Sequence, residues 1–274
     1  MTDTIEESLG MAKTPLSTGS ISSPSSPAEP SRRPLSRLAV LVALLAIAVG
    51  LLGVLAGFGS RWGWWPFRTG FSLLTWAAYG GIAVAVLSIV GVVRTRPGGP
   101  RRGLPLALFG LVAGLVLVGI PWQWRARAQG VPPIHDITTD TENPPQFVAV
   151  APLRADAPNP IEYGGPEVAA QQREAYADIQ SLVLEDPEDR VFERALSAAR
   201  DMGWEIVATD SAAGRIEATD RTFWFGFEDD VVIRLTPMGG GTILDVRSVS
   251  RVGGGDAGTN ARRVRAYLER VRDG

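Results

Sequence analysis

The residues of this chain that are best suited to chemistry lie in a short strip, HDITTDTENPP, which begins at His135. His135 is the only histidine in the sequence, and Asp136 and Asp140 follow it closely. A histidine beside carboxylates can act as a general base or bind a metal ion. One histidine without any cysteine is a poor zinc donor set, and the strip lacks the glycine and the spacing of an EF-hand loop. We therefore predict no catalytic residue, no metal and no cofactor, and a histidine that orients its neighbours by hydrogen bonding.

A second group of charged side chains lies on the predicted strands near the carboxyl end. Strand alternation places Asp245, Arg247 and Arg251 on one face of the last strand, and Arg234 can join them from the strand before it. One interpretation is a polar pocket whose arginines hold an anionic ligand. The other is a ladder of cross-strand ion pairs, with the 134–147 segment laid across it. The candidate ligand-binding residues are His135, Asp136, Asp140, Arg221, Arg234, Asp245, Arg247 and Arg251.

The run TFWFGF at 222–227 concentrates aromatic side chains between two of these predicted strands. If the run is extended, Phe223, Phe225 and Phe227 share one face and Trp224 takes the other. Packing within the core or the sheet is the ordinary interpretation, and an aromatic floor for a lipid or peptide is the functional one. We expect EDD at 228–230 to form the turn that follows.

The carboxyl-terminal half predicts an α+β fold. Asp186 and Pro187 open a helix that Gly203 ends, and a second amphipathic helix covers 260–272. Between them, short strands with tight turns predict an antiparallel sheet of about four strands flanked by helices. We expect residues 131–184 to wrap this sheet, with a short helical piece near 167–176.

The amino-terminal half predicts a membrane anchor. Residues 1–36 are rich in Ser, Pro and Thr, and we expect a disordered cytoplasmic tail. Three uncharged apolar runs follow, at about 38–58, 71–93 and 104–121. Each is near the ~20 residues that a spanning helix needs. We assign 37–130 to an anchor of three transmembrane helices and 131–274 to a soluble domain.

Charge separates the two halves and orients the anchor. Residues 1–130 contain 12 basic and 4 acidic residues, whereas residues 131–274 contain 15 and 25. The acidic half argues against nucleic acid as a partner. Seven arginines lie on the flanks that share the amino terminus's side of the membrane, and four lie on the flanks of the opposite side. This bias favours a cytoplasmic amino terminus. The soluble domain is then periplasmic, beside a bacterial inner membrane. No charged residue lies inside a span, which argues against a transporter, because proton relays and ion paths usually need one.

Several strings together resemble a known family. HDITTDTENPPQF, GWEIVATD, GRIEATDRTFWFGFEDDVVIRL and DVRSVSRVGGGDAGTNARRVRAYL are similar, in this order, to the DUF1499 family, a bacterial domain of unknown function. The resemblance covers about 131–272, and the three preceding spans resemble an arrangement found among its members. It implies that the His135–Asp136 pair belongs to a domain motif. It carries no catalytic assignment.

Two functions are compatible with this pattern. We expect a non-enzymatic envelope protein whose anchored domain binds a protein, peptide or lipid partner. The alternative is an enzyme that acts on an envelope or anionic small-molecule substrate at the Arg/Asp-lined sheet face. An enzyme should have a concave site that joins His135, Asp136 and the sheet arginines, whereas a binding module should have those charges paired and buried.

Overall fold

The structure, a computed structural model, describes residues 33–274. The tail predicted over residues 1–36 therefore lies outside the described residues, except for its last four. The described chain forms three long helices followed by a mixed domain with one antiparallel sheet.

The three helices are α1 (Arg37–Arg61), α2 (Phe67–Thr95) and α3 (Leu104–Gln129), and each is long and apolar enough to cross a membrane. α1 begins after Ser36, whose side chain accepts a hydrogen bond from the Ala39 N–H. α3 passes through Pro121 and ends before Gly130, so the helix continues beyond the apolar run predicted at about 104–121. A proline removes one backbone donor, and a helix packed against neighbours can continue past it.

Small residues let the helices approach closely. A Cβ built on Gly114 of α3 would lie 2.7 Å from the Gly81 carbonyl oxygen of α2, and one on Gly110 would lie 2.5 Å from Ser88 Oγ. Gly53 of α1 faces Ala77 and Leu117. These glycines therefore serve contacts among the three helices.

The domain contains six antiparallel strands. In chain order they are β1 (Asp136–Thr138), β2 (Leu182–Leu184), β3 (Glu205–Asp210), β4 (Arg215–Arg221), β5 (Glu228–Met238) and β6 (Gly241–Ser250). The order across the sheet is β1-β6-β5-β4-β3, and β2 also pairs with β6. The four predicted strands correspond to β3–β6. The two additional strands have three residues each, too few to display a readable alternation.

Two helices cover one face of the sheet and enclose the main core. They are α5 (Glu188–Asp201), which ends near Gly203 at φ +77°, and α6 (Thr259–Asp273). Tyr267 of α6 is fully buried, donates a hydrogen bond to the Ala195 carbonyl at 3.0 Å and stacks on Trp204. Large rings of this kind bury much apolar area each, so the pair stabilises this layer.

The opposite face lies beneath an irregular stretch that we call the covering segment, residues 139–163. It includes a 3-10 turn at Ala151–Arg154 and contributes Phe147 and Val150 to a small second core with Val232 and Val249. After it, α4 (Gly165–Ala175) places Gln172 against Thr138, where its amide bonds both the N–H and the carbonyl of that residue. The predicted wrapping of the sheet is thus observed.

The connection between β4 and β5 differs from the prediction. Glu228–Asp230 begin β5 instead of forming a turn, and residues 222–227, which we call the aromatic hairpin loop, form the turn instead of a strand. The Thr222 N–H donates to the Phe227 carbonyl at 2.8 Å, and Gly226 adopts φ +71°. The alternating aromatic pattern resembles a strand, but these rings pack on α1 and α2 instead of on sheet neighbours.

Candidate functional site

Arg247 is the centre of the predicted site, and it is fully buried. Its Nε and Nη2 donate to the two carboxylate oxygens of Asp136 at 3.0 and 2.7 Å. Nη1 donates to the Pro145 carbonyl and Nη2 also donates to the Ile161 carbonyl. Because every guanidinium nitrogen already donates a hydrogen bond, Arg247 offers no open edge to an anionic ligand.

Two aromatic rings close the remaining sides of this guanidinium. The Phe147 ring lies 5.3 Å and the Tyr163 ring 5.6 Å from its central carbon. Burial, and to a smaller extent the Asp136 charge, raises the pKa of Tyr163 to about 12. Tyr163 is therefore a neutral packing group near pH 7 and not a proton shuttle.

A neighbouring group of charges meets at Asp230, which is fully buried on β5. Arg251 donates to both of its carboxylate oxygens, at 2.9 and 2.8 Å, and Arg154 donates to one at 3.2 Å. The hydrogen bonds with Asp230 raise the pKa of Arg251, whereas burial lowers the pKa of Arg154. Arg154 comes from the covering segment, and sequence reasoning missed it because that stretch has no periodicity.

The third group joins Arg234 to two carboxylates. Its Nη2 donates to Asp140 at 2.9 Å and to Asp245 at 2.7 Å, and Nη1 donates to the Asn143 carbonyl. Burial alone would lower the pKa of Arg234, but its hydrogen bonds to the two carboxylates raise it. Asp140 and Asn143 both belong to the covering segment, so this pair also fastens that segment to the sheet.

Glu217 is a further anchor for the covering segment that the sequence did not reveal. Its fully buried carboxylate accepts hydrogen bonds from the N–H groups of Val148, Ala149 and Val150, at 2.8–3.1 Å. These donors precede the 3-10 turn, where backbone N–H groups have no partner of their own. A carboxylate there satisfies them, much as an N-cap side chain does in a helix.

The helical face contains a separate buried cluster around Arg263 of α6. Arg263 Nη2 lies 2.7 Å from Asp220 and 2.6 Å from Asp229, and Nη1 bonds Ser248. Arg263 is only 6% exposed. It is buried because the ends of β4 and β5 present carboxylates there, and these raise the pKa of Arg263 against the lowering effect of burial.

Two of the predicted site residues lie outside the buried part of the network. His135 contributes its backbone carbonyl, which accepts from the Ser250 N–H and from Asn260 Nδ2, each at 3.0 Å. Within residues 33–274 the hydrogen bonds of His135 come from its backbone, and the expected orienting role of its ring stays a prediction. Arg221 pairs with Glu228 at the exposed rim. The other six lie together as ion pairs between one sheet face and the covering segment: Asp136, Arg234, Asp245, Arg247 and Arg251 on the side of the sheet, and Asp140 on the segment itself.

Comparison with known families assigns this domain. Residues 136–271 match the family described as "Protein of unknown function (DUF1499)". The chain carries a DUF1499 domain. A comparison with curated proteins finds no match. The three helices precede the DUF1499 domain, whereas the arginine network and the aromatic hairpin loop both lie within it.

The DUF1499 domain contacts the helices through its aromatic hairpin loop. Trp224 Nε1 donates to the Val54 carbonyl of α1 at 2.9 Å, and the indole occupies the space that a Cβ on Gly57 would need, at 2.3 Å. Trp124 of α3 packs against the same indole, with ring centroids 5.2 Å apart. Because Gly57 has no side chain, it makes room for this tryptophan.

Further contacts fix the loop on both sides. Phe225 packs on Phe71 of α2 with ring centroids 4.9 Å apart. Arg61 of α1 donates to the carbonyls of Thr222 and Phe223 at 2.8 and 3.1 Å. The end of α1, the start of α2 and the last part of α3 therefore all face the DUF1499 domain.

A cleft of about 370 Å³ lies at this junction. Its wall on the anchor side contains Trp65 and Phe67, and its wall on the domain side contains Asp156, Glu228 and Arg251. Arg251 is already paired with Asp230 and Glu228. The described residues contain no group of three or more His, Asp or Glu side chains arranged to hold a metal ion.

Proposed function

We propose that this chain is a non-enzymatic module of the bacterial cell envelope, in which a three-helix inner-membrane anchor presents the DUF1499 domain in the periplasm to a protein, peptide or lipid partner. The observation that carries the proposal is the state of Arg247. An enzyme that used the sheet face would need at least one arginine open to its substrate. Arg247 instead donates its hydrogen bonds to the Asp136 carboxylate and to two carbonyls of the covering segment.

The proposed placement rests on the arginine distribution. The short flanks at the start of α1 and between α2 and α3 contain seven arginines, and the opposite flanks contain four. Such a bias keeps the richer flanks in the cytoplasm. Three spans then put the carboxyl terminus on the far side of the membrane.

Reporter fusions in intact cells test this placement. Alkaline phosphatase, which is active only outside the cytoplasm, should be active when fused after Gly274 and inactive when fused after Gly99, between α2 and α3. A fluorescent protein that matures only in the cytoplasm should give the opposite pattern. Activity of the phosphatase at Gly99 together with silence at Gly274 would reverse the proposed orientation.

Complementation of a deletion strain tests the non-enzymatic role. His135→Ala and Arg221→Ala remove the two predicted site residues that lie outside the buried network, so folding should be preserved. We expect both variants to reach the membrane at the wild-type level and to restore the deletion phenotype fully. If either variant has normal abundance and normal thermal stability but does not restore the phenotype, the result would count against the non-enzymatic role.

The cleft at the junction supports the enzyme as a second candidate, because it places the exposed carboxylate of Asp156 beside aromatic walls. Asp156→Asn keeps the shape of the side chain and removes the charge and the basicity. Loss of rescue by Asp156→Asn at normal abundance would favour chemistry in the cleft. The control is Asp201→Asn, which alters an exposed carboxylate at the end of α5 and away from the cleft.

A further inference from the structure

The junction between the domain and the helices leaves large aromatic side chains uncovered. Phe223, in the aromatic hairpin loop, is 78% exposed, although its ring touches Phe58 edge-on. Trp62 is 55% exposed at the end of α1 and stacks on the same Phe58, and Trp122 of α3 is 72% exposed. We call Trp62, Trp122 and Phe223 the aromatic rim. Such large exposed rings usually mark a surface that something covers.

The depth of the loop indicates what covers the rim. Trp224 bonds the carbonyl of Val54, which lies seven residues before Arg61, the last residue of α1. At 1.5 Å per residue this is about 10 Å below the helix end. α1 has 25 residues, or about 37 Å, against about 30 Å of hydrocarbon. Even if the whole excess projects on the side of the domain, the Val54 carbonyl lies about 3 Å inside the apolar layer.

Several polar groups of the loop are satisfied within the protein. The carbonyls of Thr222 and Phe223 accept from Arg61, and the Thr222 carbonyl also accepts from the Gly226 N–H. The Phe227 N–H donates to Thr222 Oγ1, and Trp224 Nε1 donates to the Val54 carbonyl. Groups with a protein partner cost less to place at the membrane boundary than groups that depend on solvent.

We infer that the aromatic hairpin loop enters the bilayer surface and that Phe223 contacts lipid at the boundary between headgroups and acyl chains. The rim is continuous with the apolar, outward-facing surface of α1, where Leu51 and Val54 are exposed. Trp and Phe side chains of this kind occur in the interfacial belt of membrane proteins. The loop therefore seats the DUF1499 domain directly on the membrane. This inference rests on the membrane placement proposed above.

The chain contains no cysteine, so single-cysteine spin labelling needs no background substitutions. Phe223→Cys, Trp62→Cys and Met238→Cys are each labelled with a nitroxide in the full chain. The chain is reconstituted at one copy per nanodisc of phosphatidylethanolamine and phosphatidylglycerol (3:1). Met238 is 45% exposed at the other end of β5, an 11-residue strand, and is the aqueous control. Its distance from the loop is about 35 Å. Power saturation compares access of oxygen, which concentrates in lipid, with access of a water-soluble nickel chelate.

We expect the label at 223 to be relaxed at least threefold more by oxygen than by the nickel chelate, as at 62, and the label at 238 to show the reverse. If 62 reports lipid but 223 reports water, the loop does not enter the bilayer and this inference fails alone. If 62 also reports water, the membrane placement itself fails. Low access of both reagents at 223 would mean that protein, and not lipid, covers Phe223, and would also overturn the inference.

Discussion

The buried pair of Asp136 and Arg247 offers the sharpest test of a structural role for the sheet-face charges. Arg247→Met keeps most of the side-chain volume but leaves the Asp136 carboxylate, which is 4% exposed, without its cation. It also removes the donors to Pro145 and Ile161. Breaking a buried pair in this way costs about 3–5 kcal/mol of unfolding free energy. For a domain of this size the melting temperature should fall by about 10–20 °C.

A double-mutant cycle separates the pair from its surroundings. Asp136→Leu alone leaves a buried guanidinium, and we expect a similar loss. The double variant Asp136→Leu/Arg247→Met contains neither charge, so its loss should be smaller than the sum of the two single losses by about 3 kcal/mol. Unfolding of the purified full chain in detergent, followed by near-ultraviolet circular dichroism, measures all three variants.

The control for this cycle is Arg221→Met, which lies on the same sheet face but at the exposed rim. Its ion pair with Glu228 is largely open to solvent, so the loss should stay below about 1 kcal/mol. Additive single losses would show that Asp136 and Arg247 do not act as a unit. An Arg247→Met variant that melts within 2 °C (a margin of about 0.5 kcal/mol) of the wild type would refute the structural role and reopen a ligand site.

Three other substitutions probe separate features. Gly57→Ala should destabilise the junction by about 1–3 kcal/mol, because the new Cβ would lie 2.3 Å from the Trp224 ring. A Cβ at Gly50 meets nothing within 4 Å, so Gly50→Ala should be neutral. The rate of proteolysis of the aromatic hairpin loop measures both effects. Glu217→Gln should cost about 1–3 kcal/mol and speed proteolysis of the covering segment, because one acceptor oxygen becomes a donor facing N–H groups. Burial raises the pKa of Asp256, so its contribution to stability is present below the unfolded pKa of about 3.9 and is lost as the pH rises through the folded pKa. The free energy of unfolding of Asp256→Asn in urea should therefore rise relative to that of the wild type as the pH increases from about 4. A difference between the two proteins that does not change with pH would contradict this.

Strand alternation predicted correctly that three charged side chains share one face of the sheet. It placed Asp245, Arg247 and Arg251 on one face, where the structure has them, because a period of two is a local property of an extended chain. It could not identify the partners of these residues. The carboxylate that pairs with Arg247 is 111 positions away, on a strand of three residues.

The aromatic hairpin loop shows how an accurate local pattern can mislead. Alternating Phe residues at 223, 225 and 227 are typical of a strand, and the acidic run after them is typical of a turn. The structure reverses the two assignments. Thr222 is held by Arg61, which lies 161 positions earlier in the chain, and no local pattern records that contact.

Local sequence patterns predicted the three apolar helices, the acidic α+β domain and the face on which its charges lie. These properties depend on transfer of side chains from water and on backbone periodicity, and both act over neighbouring residues. The pairing of the charges and the aromatic contacts between the domain and the helices become visible only in the folded chain. Pairing and contact depend on which distant segments of the chain meet. A buried arginine is stable only where those segments bring carboxylates and carbonyls to its guanidinium nitrogens.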